Sequence, residues 1–532
     1  MPFATAHTVS LHGALGHLID VQADVSPGTV GTTLIGRPDV SLNEARDRCR
    51  MAAINSGLEW PMTRRVTVLL APADLAKSGT HFDLPIAVSV LAAAERVPRE
   101  ALAGTAFIGE LTLSGGLRSV PGVLPMVLAA AERGISRVFV PEPQAREAAM
   151  VPGMTVLGMR SLGQVAAELR GGEVPEAPPV APMSGSRLLA WRGQERLEEL
   201  DFSDLFGMED AKYAVEVAAA GGHSVLLTGP KGAGKTSLAE RIPTILPELT
   251  PEESLELTAI HSLAGALEPG DGMLTTPPFS GPHHDASKAS LIGGGSGQVR
   301  PGEISRAHCG VLFLDEFPLF RSDVIQSLRQ PLESGEITVA RREESVTLPA
   351  RCLLVLACNP CPCGGHTDTA ATNRCRCNAQ RLREYQARIS GPIADRIDIT
   401  RQVEALGLVG DPLAAPESSA QIQDRVARVR DRQHHRYRGE SWRLNGQAPG
   451  AALRDSWPLH PSAQRNLQEA VYTGRLSSRG AVRVHRLAWT IADLRSVCSG
   501  VDVTPGVDEL DTALRLRTRQ PLMLASMQRH VG

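Results

Sequence analysis

One octapeptide constrains this chain of 532 residues more than any other feature: Gly229-Pro-Lys-Gly-Ala-Gly234-Lys235-Thr236. The apolar run His223-Ser-Val-Leu-Leu-Thr228 leads into it as a strand, and residues 237–241 leave it as a helix. Strand, glycine loop and helix together form the setting in which G-x-x-x-x-G-K-[ST] has a physical meaning. The glycines let backbone N–H groups turn inward onto phosphate oxygens, and the helix N-terminus adds partial positive charge. The pattern predicts that Gly229, Gly232, Gly234, Lys235, Thr236 and Ser237 surround the phosphates of ATP. Lys235 is expected at the β- and γ-phosphates, and Thr236 on Mg²⁺.

Two more strands belong with this loop. Gly310-Val-Leu-Phe-Leu-Asp315-Glu316 is a buried-strand pattern ending in two acids. Asp315 is expected to hold the magnesium shell, and Glu316 to polarise an attacking water. Cys352-Leu-Leu-Val-Leu-Ala357 is the third strand, and it ends at Cys358-Asn359-Pro360. An amide just past a central strand is placed to orient that water, so Asn359 takes the sensor role.

The rest of the chain divides around this core. At ~150 residues per domain its length predicts three or four domains. Residues 171–194 are Gly-, Pro- and Ser-rich and read as a linker, with a softer break at 406–419. The blocks are 1–170, which alternates strands and helices; 195–405, the core; and 418–520, mostly helical, with 483–494 its best amphipathic stretch. Lys and Arg number 55 against 58 acids, which excludes a uniformly basic coat but not a local basic lining. No apolar run approaches the ~18 residues of a membrane span, and no signal peptide is apparent, so a cytoplasmic protein is expected.

Beyond the single motifs, the chain resembles the YifB/ComM group of magnesium-chelatase-like AAA+ ATPases over nearly its whole length. The residues that carry the likeness include Leu291-Ile-Gly-Gly-Gly-Ser296, Arg300-Pro-Gly-Glu-Ile-Ser305, Leu328-Arg-Gln-Pro-Leu-Glu333, Cys358-Asn-Pro-Cys-Pro-Cys-Gly364, Asp395-Arg-Ile-Asp398 and His81-Phe-Asp-Leu-Pro-Ile86. The resemblance implies an α/β P-loop core with a helical lid, and a ring, usually hexameric, whose active sites lie between copies. It makes Arg396 the arginine finger with Arg388 in reserve, and Arg479, in preference to Arg483, the second sensor. It likens the first block to the Lon-protease fold. There His81 stands where the nucleophilic serine would be and Arg118 replaces the lysine, so that block is expected to be a dead protease.

Two further features bear on partners. Residues 337–340 and 346–348 flank a polar tip and predict a hairpin. In this clade such a hairpin faces the central pore, where Arg341 and Arg342 would meet a DNA backbone. Of nine cysteines, Cys361, Cys363, Cys375 and Cys377 form a C-x-C…C-x-C arrangement. It reads either as a structural tetrahedral Zn²⁺ site or as plain reduced thiols. The function expected is an ATP-driven ring motor on DNA, on the likeness to ComM a branch-migration helicase. The rivals are a chelatase-type ATPase and a chaperone-like remodeller of a protein partner.

Overall fold

Burial patterns in the computed structural model follow the sequence closely. The structure describes residues 3–13, 15–75, 77–181, 200–268, 270–294, 299–341, 344–366, 373–389, 393–403 and 416–522. Arg342, residues 182–194 of the expected linker and residues 406–415 of the softer break lie outside them.

The N-terminal region holds a seven-stranded mixed sheet. Its strands are β1 (Phe3–His12), β2 (Leu15–Ser26), β3 (Gly31–Ile35), β4 (Arg65–Ala71), β5 (Thr105–Phe107), β6 (Arg137–Pro141) and β7 (Thr155–Met159), in the order β3-β4-β2-β1-β5-β6-β7. β1 and β2 pair antiparallel through ten residue pairs. Ile19, Val21, Ala23 and Val25 alternate inward along β2, as period-two patterning requires. Helix α1 (Val40–Asn55) is capped by Asp39, whose side chain accepts from the Leu42 N–H. α2 (Asp83–Ala93) is buried along its whole length and packs on β1 and β2. It is apolar nearly all round, which suits an internal helix. α3 (Val123–Glu132) covers the same two strands.

In the loop likened to a protease, the two residues at the expected dyad positions lie apart in character. His81 is buried, its ring nitrogen 2.9 Å from the Val9 carbonyl oxygen, and burial pulls its pKa down to about 4. Arg118 lies exposed, 3.6 Å from Glu110. Beyond this sheet, Val180 reaches back into the N-terminal core and the Pro175 carbonyl accepts from Gln164. The first part of the expected linker is therefore packed against the sheet.

The central sheet is fully parallel. It comprises β8 (Val225–Thr228), β9 (Phe279–Ser280), β10 (Val311–Leu314), β11 (Leu353–Cys358) and β12 (Ile399–Gln402), in the order β9-β10-β11-β8-β12. β8, β10 and β11 are buried at every residue, as strands covered on both faces must be. α4 (Glu209–Gly221) precedes β8, and α5 (Lys235–Glu240) follows the glycine loop. α6 (Pro251–Ala264) starts with a capping box of Thr250 and Glu253. Between β10 and β11 an antiparallel hairpin runs through Glu336–Arg341 and Glu344–Pro349. Its stem residues Ile337, Val346 and Leu348 are buried.

The helical C-terminal region comprises α8 (Ser419–Arg436), α9 (Pro461–Tyr472), α10 (Ser478–Ser499) and α11 (Val507–Thr518), after α7 (Ala379–Ile389) in the core. One core cluster joins Val9, Leu11 and Met126 of the first region to Leu263, Phe317, Phe320 and Val346. Gly122 N–H donates to the Ser262 carbonyl at 3.0 Å, across the same junction. The N-terminal region is thus welded to the central sheet rather than hung from it.

Candidate functional site at the two ends of the central sheet

Every strand of the central sheet points its C-terminal end the same way, and in open α/β sheets that edge is where ligands bind. β8 ends in the glycine loop there. Gly232 and Gly234 have φ of 76° and 85°, which side-chain-bearing residues rarely adopt. Gly229 is needed for another reason: a Cβ on it would lie 2.1 Å from the Val403 carbonyl oxygen. Lys235 opens α5 and is buried, with its Nζ donating to the carbonyls of Gly229 and Pro230, each at 2.8 Å, and to Asn359 Oδ1 at 3.2 Å. Burial lowers its pKa, opposed by the negative charges of Asp315 and Glu316.

Neighbouring strands complete the group. Thr236 Oγ1 donates to Asp315 Oδ2 at 3.0 Å, so two hard oxygen donors meet just past β10. Glu316 follows with φ of 49°, a left-handed conformation strained for a glutamate. Its N–H donates to Asp315 Oδ1 at 2.8 Å, which fixes the turn. Asn359 is buried at the end of β11. Lys235, Thr236, Asp315, Glu316 and Asn359 therefore gather at one edge. Ser237 lies in the first turn of α5.

The sequence comparisons name the family. Residues 201–408 match the family described as magnesium chelatase, subunit ChlI, residues 21–144 that of subunit ChlI of Mg-chelatase, and residues 416–517 its C-terminal part. The chain is 37% identical to the competence protein ComM of Haemophilus influenzae, over 93% of this chain and 94% of that protein. It is 38% identical to the uncharacterised protein YifB of Escherichia coli over the same shares. An uncharacterised protein of Mycobacterium tuberculosis is 43% identical over 97% of this chain and 99% of its own length. The chain belongs to the YifB/ComM group of magnesium-chelatase-like AAA+ ATPases. The likeness to the magnesium-chelatase 38 kDa subunit of Rhodobacter capsulatus is narrower, 30% identity over 30% of this chain. ATPase activity with ATP and Mg²⁺ follows from the family. Its members typically oligomerise.

At the opposite edge of the sheet the side chains are of another kind. Ser224, just before β8, and Asp398, just before β12, line a cavity of about 460 Å³ together with Arg351, Arg396, Arg483 and Arg486. β8 spans four residues, so about 13 Å of strand separates this edge from the glycine loop. Arg396 Nε donates to Glu333 at 2.7 Å. Arg483 Nη1 donates to Asp398 Oδ1 at 2.6 Å. Burial would push the Asp398 carboxyl up, but the His223 ring, whose Nδ1 lies 3.7 Å away, and the Arg483 charge hold it well below the usual range. Arg388 lies elsewhere, donating from Nη1 to the Pro318 carbonyl at 2.9 Å, two residues past Glu316.

Arg479 is exposed at the start of α10, while Arg483, one turn further on, faces the cavity. Sequence reasoning passed over Arg486, whose signal was its i+3 spacing from Arg483 on one helix face. Arg341 ends the first hairpin strand; its side chain and the whole of Arg342 lie outside the described residues. The His283 and His284 rings lie 4.1 Å apart at a tilt, beside the exposed Asp285. The sulphurs of Cys361, Cys363, Cys375 and Cys377 lie within 4.8 Å of one another. Among the described residues no helix is long and apolar enough to cross a membrane.

Proposed function

We propose that the protein is a ring motor, hexameric and cytoplasmic, that hydrolyses ATP between neighbouring copies and drives DNA branch migration in recombination or natural transformation. One observation carries this reading: Arg396 and Arg483 gather at the sheet edge away from their own glycine loop. A cation placed there serves a phosphate held by the next copy, not by its own. In this reading the organisation is 1–170 for the protease-like domain, 195–405 for the ATPase core and 418–520 for the lid, with a linker at 171–194.

The chemistry divides among named groups. Gly229, Gly232, Gly234, Lys235, Thr236 and Ser237 cradle the triphosphate. Lys235 exchanges its two carbonyl partners for phosphate oxygens, and the lowered solvation of its amine makes that exchange favourable. Thr236 and Asp315 are the pair that would hold Mg²⁺, which supplies charge neutralisation for the phosphates. Glu316 accepts a proton from the attacking water, and Asn359 orients that water. Arg396 of the adjoining copy stabilises the charge that develops in the transition state. Arg483 lies beside Arg396, so we assign the second-sensor role to it rather than to Arg479.

DNA is the proposed track because the chain resembles ComM along nearly its full length and the hairpin carries Arg341 and Arg342 at its tip. The test is the ATPase rate of the full chain with and without single-stranded DNA, and binding across a salt series. The proposal expects stimulation, and an affinity that falls steeply with salt. An unchanged rate together with no salt-sensitive binding contradicts it, and turns attention to a protein partner remodelled as by a chelatase or a chaperone.

A further inference from the structure

The four clustered cysteines meet at distances that exclude a disulfide and suit a shared metal ion. Cys361 and Cys363 sulphurs are 3.3 Å apart, Cys361 and Cys375 3.6 Å, and Cys363 and Cys375 3.7 Å. A disulfide requires about 2.05 Å. Four thiolates around one zinc at about 2.3 Å stand about 3.8 Å from one another. The Cys377 N–H donates to Cys375 Sγ at 3.5 Å, and the N–H groups of Gly365 and Arg376 face the Cys363 sulphur. Backbone donors aimed at sulphur are the outer support that thiolate ligands need.

The position of the cluster matters as much as its geometry. Cys361 is fully buried and sits two residues past Asn359. Gly364 rests on the glycine loop, for a Cβ there would lie 3.3 Å from Lys231 Cγ. On the other arm, Cys377 leads into α7, whose Arg388 braces the Pro318 carbonyl beyond Glu316. Thus the cluster touches the segments that carry Asn359, the glycine loop and the Glu316 turn.

We propose that Cys361, Cys363, Cys375 and Cys377 hold one zinc ion, and that this closed site is a staple fixing Asn359 and the glycine loop for hydrolysis. With four protein ligands the ion has no open position and takes no part in the chemistry itself. The staple role rests on the reading of Asn359 as the residue that orients water; the metal site does not. The cysteines are positioning residues, and they act through Asn359.

Metal analysis of the purified full chain tests the site first. One zinc per chain is expected, and cobalt in its place should show the visible bands of a tetrahedral thiolate complex. Cys375→Ser, or stripping with a zinc-selective chelator followed by excess magnesium, should lower kcat by on the order of 10²-fold while KM for ATP changes little. Cys375→His keeps four ligands, so it should regain both zinc and turnover, whereas Cys498→Ser should change neither. If Cys375→Ser does not fold, the stripped intact chain gives the same reading. A zinc-free chain with reduced thiols that turns over ATP at the full rate overturns the staple and leaves the nucleotide assignment standing. Zinc whose removal leaves kcat unchanged overturns it as well.

Discussion

The two edges of the central sheet carry different chemistry, and the proposed function assigns each a different part of hydrolysis. At the C-terminal edge Lys235 donates to Asn359 and Thr236 to Asp315, with the Glu316 backbone N–H bonded to the same carboxylate. At the N-terminal edge stand Arg396 and Arg483, each held by a carboxylate of its own chain. One edge holds the phosphate loop, with Arg388 nearby tied to the Pro318 carbonyl; the other holds Arg396, the cation proposed to serve a neighbouring copy. Strands of four to six residues keep the two apart. On the proposed reading, the working unit is a junction between copies.

The largest effect should come from the N-terminal edge. Arg396→Ala should lower kcat by on the order of 10³-fold with KM for ATP little altered, read by steady-state ATPase kinetics. Glu333 is more than half exposed, so the substitution strands no buried charge, and a folding defect would not account for the loss. Lys235→Ala should cost on the order of 10²-fold or more at the C-terminal edge, with nucleotide affinity falling too. A fluorescent nucleotide titration separates the two variants, because only the second loses binding.

Arginines 479 and 483 sharpen the comparison further. Removing Arg483 leaves the buried Asp398 carboxylate short of its counter-charge, at a cost of about 3 kcal/mol in denaturant unfolding. The exposed Arg479→Ala should stay within about 0.5 kcal/mol of the parent. Equal effects would blur the division between the two edges.

The smallest effect checks that the N-terminal sheet is not a third chemical site. His81→Gln should leave ATP turnover near neutral pH unchanged. The folded pKa of His81 lies below its unfolded value of 6.5, so its neutral form contributes stability in full above about pH 6.5. That stability is lost as the pH falls toward 4, by about 3 kcal/mol in total. The substitution should flatten this part of the pH dependence, measured as denaturant midpoints of variant and parent.

The parts of the molecule that were plain in the sequence share a cause. A glycine loop needs special backbone angles, and a central parallel strand needs unbroken apolar residues, so 229–236, 311–314 and 353–358 declare themselves locally. The hairpin stem and the buried helix 83–93 do so by period and composition. What was hidden depends on tertiary distance. Arg479 and Arg483 lie on nearly the same helix face, and only their depth along the axis, about 6 Å, separates solvent from cavity. The C-x-C spacing singled out four cysteines, but not that Gly364 beside them lies against Lys231 of the glycine loop. Nor did the proline-rich composition of 171–181 reveal that Val180 would be buried, or that the first sheet shares a core with the second.

A mixing experiment tests the central claim most directly. Lys235→Ala and Arg396→Ala are each prepared inactive, then combined and allowed to exchange subunits. A junction built from the Arg396→Ala copy's glycine loop and the Lys235→Ala copy's arginine is whole. Random assortment makes about a quarter of the junctions whole, so ATP turnover should return to as much as that share of the parent rate. A mixture no more active than its two components, under conditions where exchange is demonstrated, would contradict shared sites.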